Sequence, residues 1–219
     1  MTGAPGLEPA VQQEAGEATL RRIAAVRRPA KANVQPLLWA FADSLAREGV
    51  RIAGVVEVGG TRASRGCRGR ALRDLSTGAQ FSISQELGPG SEACSLDPQG
   101  FAQACLAVQR EIDRRADLVV LSKFGKMEAQ GRGLYEAFAA AVHADVPILT
   151  TVSPSLSETW RVFAGSLSQF VSPQADAISR WWSGIALDTL GHPGRGVPQE
   201  AGLAGATSTW ISSPSTRRA

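Results

Sequence analysis

The sequence predicts a three-layer α/β/α domain with a mostly parallel sheet and one inserted β-hairpin. Three observations carry that expectation. Short apolar runs alternate with longer segments of helical periodicity, the pattern of strands joined through crossover helices. The run Leu118-Val119-Val120-Leu121 has no polar member, as in strands buried on both faces. The stretch Asp117 to Gly133 (D-L-V-V-L-S-K-F-G-K-M-E-A-Q-G-R-G) then passes abruptly from that run into a cationic, glycine-containing loop. In an open α/β sheet the ligand crevice lies outside the carboxyl ends of the strands, where such a loop sits.

Residues 1–19 are rich in Gly, Pro, Ala, Gln and Glu and read as a mobile tail, with one α/β domain over residues 20–182. Ile23-Ala24-Ala25-Val26 is a first buried strand. A helix from about Gln35 to Arg47 follows, with Leu37, Leu38, Phe41 and Leu45 as its apolar stripe. Gly49 ends it, and Val50 to Val58 is the next strand, closing a βαβ unit with a right-handed crossover. Gly59 to Gly69 reads as a glycine- and arginine-rich loop. The segments Ala71–Leu75 and Gln80–Ser84 flank Ser76-Thr77-Gly78-Ala79, a hairpin signal. Residues 85–98 carry too much Gly and Pro for regular structure. Asp97 caps a helix that begins at Pro98 and runs to Arg115. After the central strand and its cationic loop, a helix covers Gly133 to Ala144, a buried strand Val146 to Val152, and a further helix Ser157 to about Leu167. Asp176 to Trp182 makes a last turn or two. From Ser183 to residue 219, Gly, Pro, Ser and Thr dominate, and this stretch reads as a second tail.

Bulk composition narrows the function. At 43% hydrophobic, the 219 residues suffice for one well-buried domain. A net charge of +3 with scattered arginines argues against nucleic acid as the partner. Cys67, Cys94 and Cys105 are an odd set with no C-x-x-C pair, which points to reduced thiols and away from a structural zinc, so no metal site is expected. The N-terminal stretch, with Glu8, Glu14 and Glu17, lacks the apolar core of a signal peptide, and no apolar run approaches the roughly 18 residues of a membrane span. The expectation is a cytoplasmic protein.

Three motifs, R-D-L-S-T-G, I-S-Q-E-L-G-P-G-S and L-S-K-F-G-K-M-E-A-Q-G-R-G, resemble a bacterial family catalogued as domain of unknown function 2478, and the resemblance runs from about Ile23 to Trp182. Members are sometimes labelled molybdenum transport ATP-binding proteins. The layout is also similar to a degenerate cousin of small P-loop nucleoside-triphosphatases. The resemblance therefore implies a P-loop NTPase-like fold and, as ligand, a nucleotide or a molybdenum oxyanion. In those relatives the second motif reads like D-E-I-G-x-M-E, where this chain has Ser122-Lys123-Phe124-Gly125-Lys126-Met127-Glu128.

The departures from the pattern are chemical. A working phosphate loop, G-x-x-x-x-G-K-[ST], cradles phosphates on backbone N–H groups while Lys reaches the β/γ-phosphates and a hydroxyl holds Mg²⁺. At that place stand Val26-Arg27-Arg28-Pro29-Ala30-Lys31-Ala32-Asn33, with no glycine and with a proline that removes a donor. The acidic pair expected after the central strand is replaced by Ser122 and Lys123, which removes the hard oxygen ligands that Mg²⁺ needs. Ordinary NTP hydrolysis is not expected.

Within this frame Lys123, Lys126 and Arg132 are candidate anion ligands, against the plainer reading of a solvated loop paired with Glu128. Glu128 fits a general base or, more simply, an ion-pair partner of Lys126 or Arg132. Ser84, Gln85, Gly88, Gly90 and Ser91 suit a backbone nest with hydroxyl and amide donors, or a turn linking hairpin to helix. Glu86 is the alternative carboxylate for catalysis. Arg28 and Lys31, with Arg27, follow the first strand at the correct end of the sheet. Arg62, Arg65, Arg68 and Arg70 fit a basic flap or a mobile surface loop. Cys67 and Cys94 have arginine or loop neighbours that suit reactive thiols, but isolated cysteines are more often inert. Trp39, Trp160, Trp181 and Trp182 are packing residues, with Trp181-Trp182 as an alternative partner surface.

The leading expectation is a nucleotide- or oxyanion-binding protein without ordinary NTP hydrolysis. A nucleoside-triphosphatase or phosphotransferase in which Glu128 or Glu86 acts on water is the second. A protein-interaction module with a protein partner or a second copy, and no small ligand, is the third.

Overall fold

The computed structural model describes residues 21–29, 32–62, 68–86 and 94–191. The chain enters through β1 (Ile23–Arg27), whose first four residues are all buried, and turns into α1 (Gln35–Arg47). Pro36 suits the first turn of that helix, and Leu38, Phe41, Ala42 and Leu45 form its buried stripe. The helix delivers the chain to β2 (Ile52–Arg62), which runs antiparallel to β3 (Arg68–Asp74). β3 turns into β4 (Gln80–Ser82), with Arg73 opposite Gln80. The turn is built by Asp74, which is buried and accepts from the Ser76 N–H and hydroxyl, both at 2.8 Å. Gly78 completes it at φ +76°, where a side chain would be strained.

A short second hairpin, β5 (Ser84–Glu86) with β6 (Cys94–Leu96), leads into α2 (Pro98–Asp113). Asp97 caps this helix by accepting from the Gln99 N–H at 2.9 Å, as its position before Pro98 predicts. β7 (Leu118–Phe124) is the central strand and buries six of its seven residues. Then come the single turn α3 (Lys126–Ala129), α4 (Tyr135–His143), β8 (Ile148–Val152), α5 (Ser157–Ala164), β9 (Ser168–Val171) and α6 (Ala175–Gly191).

The main sheet has the order β4-β3-β2-β7-β8-β1-β9. β2, β7, β8, β1 and β9 are mutually parallel, and β3 and β4 are the inserted antiparallel hairpin at one edge. β7 shows why its sequence is wholly apolar. Val119 and Leu121 face a core built with α2, α4 and α5, while Leu118 and Val120 face a second core built with α1 and α6. The first core is anchored by Trp160, fully buried, whose ring lies edge-on to Phe124 at 5.0 Å between centroids. The expectation of a three-layer α/β/α domain with a mostly parallel sheet and an inserted hairpin therefore holds.

Several boundaries differ. β2 and β3 extend into the region read as a loop, pairing out to Arg62 and Arg68. The strand expected over Gln80–Ser84 is broken at Ile83 into β4 and β5, and residues 85–98 contain β6 rather than only irregular chain. β9 was not expected. The last turn or two after Asp176 is a helix of 17 residues, so 183–191, assigned to a tail, belong to α6. Trp181 is buried and its indole donates to the Arg21 carbonyl at 2.9 Å, which makes it a packing residue. Among the described residues no helix is long and apolar enough to cross a membrane.

Candidate functional site

The pairing of β2 with β7 ends at Val55 and Leu121, and just beyond it Gln35, in the first turn of α1, joins the two strands. Its amide nitrogen donates to the Ser122 carbonyl at 2.7 Å, and its amide oxygen accepts from the Glu57 N–H at 2.9 Å. Ser122 is buried, and its carbonyl also accepts from the Thr151 hydroxyl at 2.9 Å, which ties in β8. These bonds fix the register from which Lys123 and Glu57 project.

Glu57 collects two cations. Arg70 donates to both of its oxygens, Nε to Oε1 at 2.8 Å and a terminal nitrogen to Oε2 at 3.0 Å. Lys123 Nζ lies 2.6 Å from Oε2. Burial alone would raise the Glu57 pKa, but the hydrogen bonds and charges of Arg70 and Lys123 outweigh it and hold the carboxyl below its ordinary value. The same bidentate bond raises the Arg70 pKa. The trio stands at the mouth of a 190 Å³ pocket lined further by Leu72, Ile83, Phe101, Met127 and Leu134, with Lys126 at its edge. Close packing of α2 shapes the wall: a Cβ on Gly100 would sit 1.7 Å from the Ser82 carbonyl, so only glycine lets Phe101 approach.

Lys126 is exposed and makes no ion pair among the described residues. Glu128, by contrast, is 4% exposed. One oxygen accepts from the Gly125 N–H at 2.8 Å and the other from the Leu134 N–H at 2.9 Å, closing the loop across α3. Gly133, at φ +64°, passes so close that a Cβ there would lie 2.3 Å from Glu128 Oε1. Glu128 makes no ion pair with Lys126 or Arg132, and through its two backbone bonds it holds the loop that presents Lys126.

In the described part of the turn after β1, three backbone donors are engaged within the fold. The Arg28 N–H donates to the Val152 carbonyl at 2.9 Å and the Ala32 N–H to the Pro29 carbonyl at 3.2 Å. The Gln35 N–H goes to the Asn33 side chain at 3.1 Å, and Pro29 and Pro36 have no N–H to offer.

Of the other candidates, Arg132 donates its guanidinium to Gln130 and does not line the pocket. The Ser84 hydroxyl accepts from the Arg70 N–H at 2.9 Å and so serves the hairpin. Arg28 is partly exposed beside the end of β8 and does not line the pocket. Gln85 and Glu86 are placed as backbone of β5 only, and Lys31, Gly88, Gly90, Ser91, Arg65 and Cys67 lie outside the described residues. Cys105 lies in α2, its thiol raised in pKa by burial. Among the described residues no cluster of three or more His, Cys, Asp or Glu could hold a metal ion. Sequence reasoning passed over Glu57 and Gln35. The available signal was that Glu57 is the lone charged residue in the apolar run V-V-E-V near the carboxyl end of a strand.

Comparison with known proteins adds three findings. Residues 23–181 match the model of a family described as "Protein of unknown function (DUF2478)", close to the span that the motifs indicated. A stretch of 162 residues, 74% of this chain, is 39% identical to "Molybdenum import ATP-binding protein ModC 2" of Bradyrhizobium diazoefficiens. The match covers only 18% of that protein's length. Among solved structures the fold is similar to THEP1 from the hyperthermophile Aquifex aeolicus, with a TM-score of 0.51 and 13% identity over 74% of this chain and 95% of that one. At that identity the likeness bears on the fold alone, which is of the P-loop NTPase-like kind.

Proposed function

We propose that this chain, which belongs to the DUF2478 family, binds a small anion, a nucleotide or an oxyanion, at the carboxyl ends of β2 and β7 and does not hydrolyse nucleoside triphosphates in the ordinary way. The observation that carries this reading is the cation set at the pocket mouth. Arg70 and Lys123 are held in place by Glu57, and Lys126 stands beside them without a counter-ion among the described residues. An incoming anion meets Lys126 first and gains from the two fixed cations behind it. Position supports the reading too, since open α/β sheets bind ligands at this edge. Arg28, from the turn after β1, is proposed to extend the cationic edge through its side chain.

The absence of hydrolysis follows from chemistry. Ser122 and Lys123 stand where a magnesium-holding acidic pair would be, and the N–H groups of Arg28, Ala32 and Gln35 in the β1 turn are engaged within the fold. The similar ModC 2 protein carries ATP-binding and molybdenum in its name, which makes ATP and molybdate the first two ligands to try.

Thermal unfolding against ATP, GTP, ADP, phosphate, molybdate and tungstate, each with and without Mg²⁺, tests the proposal. A ligand at a hundred times its dissociation constant stabilises the native state by about 2.7 kcal/mol. For a domain of this size that is a rise of about 5–10 °C in Tm. The expected result is a rise with at least one of these anions that does not need Mg²⁺ and is lost in Lys126→Ala. Indifference to every anion overturns the reading and leaves a protein-interaction module.

A further inference from the structure

The pocket behind the Glu57 cluster is built for more than a bare oxyanion. Its floor is Leu72, Ile83, Leu96, Phe101, Met127 and Leu134, and of these Leu72, Ile83 and Leu134 are each 1% exposed. The Glu57–Arg70–Lys123 set, joined by its own hydrogen bonds, lines the same space, as does Lys126. The Glu128 oxygens also border the space, but both are engaged by backbone N–H groups. A hydrated tetrahedral anion would use the cations and leave Leu96 and Met127, the half-buried members of that floor, in contact with water.

Size decides what else fits. The space measures 190 Å³, and an apolar cavity of about 150 Å³ holds one benzene ring. Sites that enclose drug-sized molecules run from about 300 Å³ upward. One ring therefore enters and a whole nucleotide does not, although part of one would.

We infer that the pocket takes a small amphiphilic anion, with a compact body of about one aromatic ring on the apolar floor and a phosphate or carboxylate head at Lys126 beside the Arg70–Lys123 pair. This rests on the anion-binding reading above and narrows it to anions that carry such a body.

Titration calorimetry at fixed ionic strength, on the full chain, compares phenyl phosphate with inorganic phosphate and molybdate. Phenyl phosphate is expected to bind at least about tenfold more tightly than either. Leu96→Phe, which fills the pocket from its partly exposed side, is expected to weaken phenyl phosphate about tenfold and to leave inorganic phosphate within about twofold. In the unmodified protein, nuclear Overhauser contacts from the phenyl protons to the methyls of Leu96 and Met127 give the same answer without a variant. Equal affinity for phenyl phosphate and phosphate, or no ring-to-methyl contact, overturns the inference and leaves the anion-binding reading standing. No binding of any of the three anions overturns both.

Discussion

Replacing Glu128 by Gln separates a residue that holds the site from one that acts in it. Glu128 is 4% exposed and satisfies two backbone donors, the Gly125 and Leu134 N–H groups, with its two oxygens. Glutamine keeps the shape but has one acceptor oxygen, so one of those N–H groups faces an amide NH₂ instead. The loss is one hydrogen bond, about 1 kcal/mol, plus a buried donor left unsatisfied, about 1–3 kcal/mol. A total of about 3 kcal/mol corresponds to about 6–12 °C in Tm for a domain of this size. Thermal unfolding followed by circular dichroism measures it, with anion binding titrated well below the new midpoint. The expected variant is much less stable yet binds the same anion with an affinity close to that of the unmodified protein. A Glu128→Gln protein with an unchanged midpoint and no anion binding would refute the assignment and make the carboxyl a ligand-contacting group.

Two further outcomes follow from the same network. Glu57 has its pKa depressed, so its stabilising effect is full above the unfolded-chain value and is lost as pH falls through the folded one. Because the side chains of Arg70 and Lys123 are each 39% exposed, solvent reduces the effect of Glu57→Gln to about 1 kcal/mol, or about 2–4 °C near neutral pH. That gap should close as the pH is lowered through and below the usual carboxylate range, and a gap independent of pH would contradict the ion-pair account. Gln35→Ala removes the bonds to Ser122 and Glu57, for a cost of about 1–3 kcal/mol in chemical denaturation, and faster amide hydrogen exchange at Glu57 should accompany it. Unchanged exchange there would show that the staple does not hold the end of β2.

The elements that could be read from the sequence were those whose local chemistry and tertiary role agree. β7 is apolar throughout because both faces are covered, the β3–β4 turn is written in Asp74 and Gly78, and α2 starts where Asp97 and Pro98 say it should. β9 is four residues, S-Q-F-V, at the edge of the sheet and mostly half-buried, so it shows neither a continuous apolar run nor clean alternation. β5 and β6 are three residues each, too short to carry a period. β2 and β3 run past their buried parts into glycine and arginine, where backbone pairing rather than side-chain pattern keeps them extended. For the site, the position of Lys123 and Lys126 could be inferred from the end of a buried strand. Their partners could not, because Glu57 lies 66 residues from Lys123 and only the sheet order brings them together. Glu128 misled for a related reason: a carboxylate in a cationic loop reads as an ion-pair partner until its backbone donors are seen.

The most direct test of the central claim is a titration of inorganic phosphate into isotope-labelled protein, following backbone amide shifts. The account predicts that the largest changes fall on Ser122 to Glu128 and on Arg70, with smaller ones at Arg27 to Gln35, where the N–H groups of Arg28, Ala32 and Gln35 are already bonded within the fold. Largest changes in the β1 turn, with Lys123 and Lys126 silent, would contradict it and return the anion to the place of an ordinary phosphate loop.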